Sequence, residues 1–279
     1  MKRVVTLQDI SCVGKCSITV ALPIISALGI ECAILPTAVL STHTLFKNFT
    51  CKDLTDQIQP ISAAWKLEHL TFNGIYTGYL SSPNQCHEVC SFIDNFKETD
   101  CLCLVDPAMA DNGKLYLSFK NDFPQYMKKV CSRADVILPN ITEACLLTGE
   151  SYRVKYDAQF VQNLLYKLLQ LGCSTAIITG VSYNETEIGA IALDHTGKIS
   201  SYFTKKCKHN YHGTGDIFSS VVFSTLVNGL NIENALQIAA DFVVDCIEKT
   251  PNSSDSWYGV NFEPQIPKLL NNFFKAKSQ

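Results

Sequence analysis

The stretch of this chain whose residue types are best suited to chemistry is Gly213-Thr214-Gly215-Asp216. Two glycines let a backbone turn sharply and bring bare N–H groups close to a ligand. The apolar run Ile217-Phe218-Ser219-Ser220-Val221-Val222-Phe223 follows directly and reads as a helix. A helix starting at this turn aims unpaired amides and the positive end of its dipole at one point, which is a ready anion site. Asp216 admits two readings. It can be a first-turn acid that stabilises the helix, or a base that takes a proton from an alcohol beside a phosphate.

Phosphoryl transfer needs a charge sink, magnesium and a positioned nucleophile, and other polar residues could complete such a set. Asn140 and Glu143, in Pro139-Asn140-Ile141-Thr142-Glu143, set an amide and a carboxylate one helical turn apart. Asp106-Pro107-Ala108-Met109-Ala110-Asp111 adds two acids for a cation that prefers one or two carboxylates plus phosphate oxygens and water. Each group has a plain structural rival. Asn140 and Glu143 also spell a capping box, Asp106-Pro107 a strand-ending turn, His43 a loop or core histidine, and Thr179-Gly180 an ordinary loop. Val13-Gly14-Lys15-Cys16-Ser17 hints at a P-loop, but that motif needs glycine where Asp9 stands and serine or threonine where Cys16 stands.

These residues must be carried by strands. Short β-rich runs are expected at 4–8, 32–35, 74–79, 101–106, 136–139, 175–179, 187–193 and 199–203. Several are continuously apolar, as in parallel strands covered on both faces. Helical patterns alternate with them at 16–28 (containing Pro23), 159–171 (ending before Gly172), 216–228, 232–248 and a last segment through 275. The order predicts an α/β fold with a central, mostly parallel sheet flanked by helices on both faces. Asp194-His195-Thr196-Gly197 predicts one hairpin. No repeat or linker divides the chain, so a single domain over residues 1–279 is expected. Ligands in such sheets bind beyond the carboxyl ends of the strands. Asp9, the segment Ser41-Thr42-His43-Thr44, Asp106, Asn140 with Glu143, and Thr179 all fall at expected strand ends.

The bulk numbers agree. Hydrophobic residues make up 47% of 279 and charged residues 18%, which excludes a disordered chain. A net charge of −3 offers no basic field for nucleic acid, and Lys205-Lys206-Cys207-Lys208 reads as a solvated strand end. The longest apolar stretch, 18–30, is too short to span a bilayer. Met1-Lys2-Arg3 runs into a strand pattern with no signal peptide, so a cytoplasmic location is expected. The thirteen cysteines then read as reduced core thiols.

The motifs in this order resemble the ribokinase-like superfamily (PfkB-type carbohydrate and vitamin kinases) and, within it, the pyridoxal/pyridoxamine kinases. The carriers are Gln8-Asp9-Ile10-Ser11, Val20-Ala21-Leu22-Pro23 through Leu28-Gly29, Ser41-Thr42-His43-Thr44, Tyr76-Thr77-Gly78-Tyr79, Asp106-Pro107, Pro139-Asn140-Ile141-Thr142-Glu143 and Gly213-Thr214-Gly215-Asp216. The last two specify the superfamily; Ser-x-His-Thr and Thr-Gly-Tyr narrow it to vitamin B6 kinases. The resemblance implies ATP-dependent phosphorylation of the hydroxymethyl group of pyridoxal, pyridoxamine and pyridoxine, usually by a homodimer, with Mg2+ and often K+. It implies that Asp216 is the catalytic base and that Gly213, Thr214 and Gly215 form the anion hole. Asn140, Glu143 and Thr179 would contact Mg-ATP, with Asp106, Asp111 and Glu143 toward the metal. Asp9, His43, Thr44 and Tyr79 would line the vitamin pocket. Two departures stand out: Asp9 occupies a position that is often serine in these kinases, and Leu45-Phe46 follows Thr44 where glycine is common. Hydroxymethylpyrimidine kinases share the fold, so a pyrimidine acceptor is the alternative substrate. A non-catalytic vitamin- or nucleotide-binding protein is the alternative from another class.

Overall fold

The computed structural model describes residues 1–209, 211–251 and 257–278. Its centre is a nine-stranded sheet. The strands are β1 (Arg3–Val13), β2 (Glu31–Thr42), β3 (Cys51–Asp53), β4 (Gly74–Thr77), β5 (Leu102–Val105), β8 (Val136–Ile137), β9 (Thr175–Val181), β10 (Glu187–Asp194) and β11 (Ile199–Lys205). A small hairpin of β6 (Ala110–Asp111) and β7 (Lys114–Leu115) stands apart. The spatial order is β11-β10-β9-β8-β5-β4-β1-β2-β3. From β2 to β9 the pairings are parallel, and the edges are antiparallel: β3 on β2, and the β10–β11 hairpin on β9.

The helices are α1 (Ile18–Ala27), α2 (Thr55–Leu67), α3 (Pro83–Phe96), α4 (Phe123–Cys131), α5 (Ile141–Thr148), α6 (Ala158–Leu169), α7 (Thr214–Val227), α8 (Ile232–Lys249) and α9 (Ile266–Lys277). They cover both faces of the sheet because successive strand side chains point to opposite sides. Val5 and Leu7 of β1 join a buried cluster with α2 to α6, whereas Val4 joins another with α1, α7, α8 and α9. Helix α7 is enclosed on most sides and buries Ser219, Ser220, Ser224 and Thr225. Ser220 and Ser224 stay satisfied by donating back to the carbonyls of Asp216 and Ser220 at 2.6 and 2.7 Å.

The eight expected strands and the mostly parallel order are present, and two expectations need correction. The first two strands do not end at Gln8 and Leu35. They run on as a two-stranded ribbon to Val13 and Thr42, beyond the end of β4, and β3 pairs with its outer edge. Asp9 therefore lies inside β1 rather than after it, at a bulge where Gln8 pairs Pro36 but Ile10 pairs Val39. Ser41 and Thr42 likewise belong to β2. Helix α1 starts at Ile18 and keeps Pro23 inside it. All the cysteines are free, and Cys16, Cys86, Cys90, Cys101, Cys103, Cys131, Cys145, Cys173 and Cys246 are buried. Burial pushes the thiols up, to about 11 for Cys101 and about 12 for Cys86. Among the described residues no helix is long and apolar enough to cross a membrane.

Candidate active site

The turn before α7 is built around one contact. Gly213 has φ 81° and ψ 0°. A Cβ there would lie 1.6 Å from the carbonyl oxygen of Lys15, so only glycine fits. The turn is thereby seated on the loop between β1 and α1. Among the described residues no side chain caps α7, so the first-turn amides remain available to an anion. Asp216 is half-buried in this first turn. Burial, reinforced by the charges of Asp106 and Asp9, pushes its carboxyl up to about 7, while the Ser17 amide facing it pulls the other way.

Beside this turn opens a cleft of about 370 Å³, within the range of small-molecule sites. It brings together Asp106, Asp111, Asn140, Glu143, Thr179 and Gly213 to Asp216. Asn140 and Glu143 form a complete capping box on α5. Glu143 also accepts the Met109 amide at 3.0 Å, and the Asn140 side chain donates to the Ala110 carbonyl at 2.8 Å. The cap and the cleft wall are thus the same residues. Burial, followed by the charge of Asp106, holds the Glu143 carboxyl well above its ordinary range. Asp106 is pushed up to about 6 by burial and accepts from Ser219 at 2.6 Å. Asp111 lies on β6, exposed, and accepts the Asn112 amide. Thr179 bridges to Asn140. Ala240, Val243 and Ile247 add an apolar stripe from α8, suited to a flat ring.

Among the described residues no three His, Cys, Asp or Glu side chains form a metal cage. Asp106 Oδ1 has no hydrogen-bond donor among them. This donor set fits a magnesium ion that arrives on nucleotide phosphates and keeps its waters, rather than a resident ion.

Asp9, His43, Thr44 and Tyr79 lie outside the lining of that cleft. Asp9 is buried, accepting from Ser17 Oγ at 2.6 Å and Ser11 Oγ at 3.0 Å. Burial raises its carboxyl and the two serines oppose the shift. The charge of Asp9 adds to the upward shifts of the Tyr79 hydroxyl and the Asp216 carboxyl, both led by burial. Tyr79 is half-buried with its hydroxyl 3.3 Å from Ser118 Oγ. His43 Nδ1 accepts the Leu45 amide at 3.3 Å, which makes Nε2 the protonated nitrogen that donates to the Tyr258 carbonyl at 3.0 Å. Its ring packs against Phe46 and His212, each with centroids 4.8 Å away, and against Trp257 at 6.0 Å. Thr44 is exposed in the turn beyond.

Sequence reasoning missed much of this ground. Phe46, His212, Trp257 and Tyr258 come from three separate loops and belong to no motif. Lys205 and Lys206 end a strand, as expected, but they also line the cleft. Lys15 matters through its carbonyl and stem: its side chain pairs with Glu263 and lies 5.4 Å from the Phe262 ring centroid. A Cβ on Gly259 would stand 2.3 Å from Lys15 Cβ. The loop of residues 14–17 is therefore clamped between the turn before α7 and the segment 257–263. Ser17 in that loop has φ 49° and ψ −134°, outside the left-handed helical basin, a strain of about 1–3 kcal/mol.

A mostly parallel sheet under two helical layers, with a glycine-seated helix N-terminus at its ligand end, defines the ribokinase-like class of kinases. The chain belongs to the phosphomethylpyrimidine kinase family, whose model matches residues 22–261. It is similar to a candidate phosphomethylpyrimidine kinase of Bacteroides thetaiotaomicron VPI-5482. That likeness has 34% identity, 96% of this chain and 93% of that one covered, and a TM-score of 0.93. An orthorhombic crystal form of that enzyme contains pyridoxal. The pyridoxal kinase of Lactobacillus plantarum matches at 30% identity over 97% of each chain, with a TM-score of 0.87. The pyridoxal kinase of Dictyostelium discoideum is 25% identical over 91% of this chain and 88% of its own. The resemblance to vitamin B6 kinases seen in the motifs is borne out by these relatives.

Proposed function

We propose that this kinase transfers the γ-phosphoryl group of ATP to the hydroxymethyl group of the B6 vitamers pyridoxal, pyridoxamine and pyridoxine. The observation that carries the reading is the seating of Gly213 on the Lys15 carbonyl, which sets open amides and the Asp216 carboxylate at one point. Asp216 accepts the hydroxyl proton as the alkoxide oxygen attacks the γ-phosphorus, and the bond to the bridging oxygen of ADP breaks. The amides of Gly213, Thr214 and Gly215 hold the transferring group, worth about 10²–10³ in rate for one such donor. Asn140, Glu143 and Thr179 border the nucleotide phosphates, with Asp106 and Asp111 beside them. Asp106, Asp111 and Glu143 are the carboxylates that would meet the water shell of a magnesium ion on the nucleotide, which would supply positive charge to the phosphate oxygens. Asp9, His43, Thr44 and Tyr79 receive the ring. The pyridoxal in the Bacteroides relative supports a B6 acceptor.

The family match favours a second acceptor, hydroxymethylpyrimidine. Side-by-side kcat/KM values for the three vitamers and the pyrimidine, with Mg-ATP and K+ present, decide between them. A hundredfold preference for the pyrimidine overturns the B6 assignment, and absence of ADP release with every acceptor overturns both.

A further inference from the structure

Ser17 is one of three non-glycine residues with positive φ among the described residues. It stands at the N-cap of α1, where a serine side chain ordinarily accepts from the helix amides. Here it makes no such bond. Its carbonyl starts the helix by accepting from Val20 and Ala21 at 3.1 and 2.9 Å. Its hydroxyl turns instead to Asp9 Oδ1 at 2.6 Å, and the residue is buried. Asp9 comes from β1, opposite the bulge of β2, while Asp216 comes from α7, more than two hundred residues later in the chain. Residues 15–17 abut the turn just before Asp216, through the contact of Gly213 with the Lys15 carbonyl. Glycine takes a backbone conformation like that of Ser17 without strain but brings no hydroxyl. The chain holds a strained residue where a hydroxyl reaches Asp9 from the loop on which the Gly213 turn is seated.

We propose that Ser17 is a positioning residue: it ties the carboxylate of Asp9 to the loop on which the Gly213 turn is seated, and so fixes where the acceptor ring sits relative to Asp216. The inference rests on the proposed function in that Asp9 faces the acceptor. The acceptor is the class of heterocyclic alcohol discussed above, and either heterocycle serves to test it.

The experiment compares wild type, Ser17→Gly and Ser17→Ala. In Ser17→Gly the strain is relieved and the hydroxyl lost. The expected result is a melting temperature at or above wild type and an acceptor KM raised about tenfold, as for loss of a hydrogen bond to a charged group. The KM for Mg-ATP should stay within twofold. Ser17→Ala should show the same acceptor defect with a lower melting temperature, and if it does not fold, Ser17→Gly alone carries the comparison. An unchanged acceptor KM in Ser17→Gly overturns the proposal, and so does an equal rise in both KM values, which marks general damage. A second readout needs no acceptor. The Asp9 carboxyl is titrated by carbon-13 NMR, assigned with Asp9→Asn. Its apparent pKa should rise in Ser17→Gly, and no change overturns the proposal. If wild type phosphorylates neither heterocycle, the proposed function falls, while the titration still decides the role of Ser17.

Discussion

The two sides of the site are built in different ways. On the proposed phosphate side, the groups are held by backbone contacts: Glu143 by the cap of α5 and the Met109 amide, Gly213 by the Lys15 carbonyl beneath it. On the proposed acceptor side, His43 and Tyr79 stand just past the ends of β2 and β4 while Asp9 lies inside β1, and side chains hold all three: Phe46 and Trp257 for His43, Phe119 for Tyr79, Ser11 and Ser17 for Asp9. The first side rests on backbone contacts. The second depends on side-chain packing between distant segments, and the proposed function puts acceptor choice there. Substitutions should therefore separate the two sides kinetically.

The largest effect is expected at their meeting point. Asp216→Asn should lower kcat by about 10²–10⁴ with little change in either KM, measured by ADP release. Retention of wild-type turnover would remove the base from the reaction. Next comes Gly213→Ala, which forces a Cβ into the Lys15 carbonyl. About 10²–10³ in kcat should be lost, together with about 2 kcal/mol or more of stability in denaturant melts. His43→Ala tests the other side. The acceptor KM should rise about three- to tenfold through lost ring contacts while the nucleotide KM holds; a parallel shift of both would end the distinction between the sides.

The smallest effect is on pH dependence. Because Asp216 must be ionised to act as a base, kcat/KM should rise with pH to a plateau above about 7, where its carboxyl ionises. Stability runs the opposite way. Between the unfolded value of 3.8 and about 7, the folded chain keeps a proton that the unfolded chain has released, so stability falls as pH rises through that window. Asp216→Asn lacks this loss and should melt about 3 °C above wild type at pH 8.

The same contrast explains what was legible in the sequence. Gly213 to Asp216 and Asn140 to Glu143 are contiguous, so their spacing alone announced a turn and a cap. The parallel sheet was legible because apolar runs alternate with helical periodicity. The ribbon extension of β1 and β2 was not, since β1 buries a carboxylate at Asp9 where a strand end is expected, and the extra residue of the bulge lies in β2 opposite it. The hairpin of β6 and β7 has two-residue strands, too short for any periodicity. Phe46, His212 and Trp257 meet at His43 only through tertiary packing. Lys15 stands in the sequence only as part of a failed P-loop match, and nothing there shows that its carbonyl seats Gly213. Ser17 carries no mark in the sequence at all, because a serine with a strained positive φ looks like any other serine.

The interior sulfur has a consequence for handling the protein. While the chain is folded, nine of its thiols are shut away from oxidants and kept protonated. Once heated past its transition, the chain presents all thirteen to one another, and random cross-linking then competes with return to the native form. Repeat calorimetric scans should superimpose under strong reductant and lose area in air.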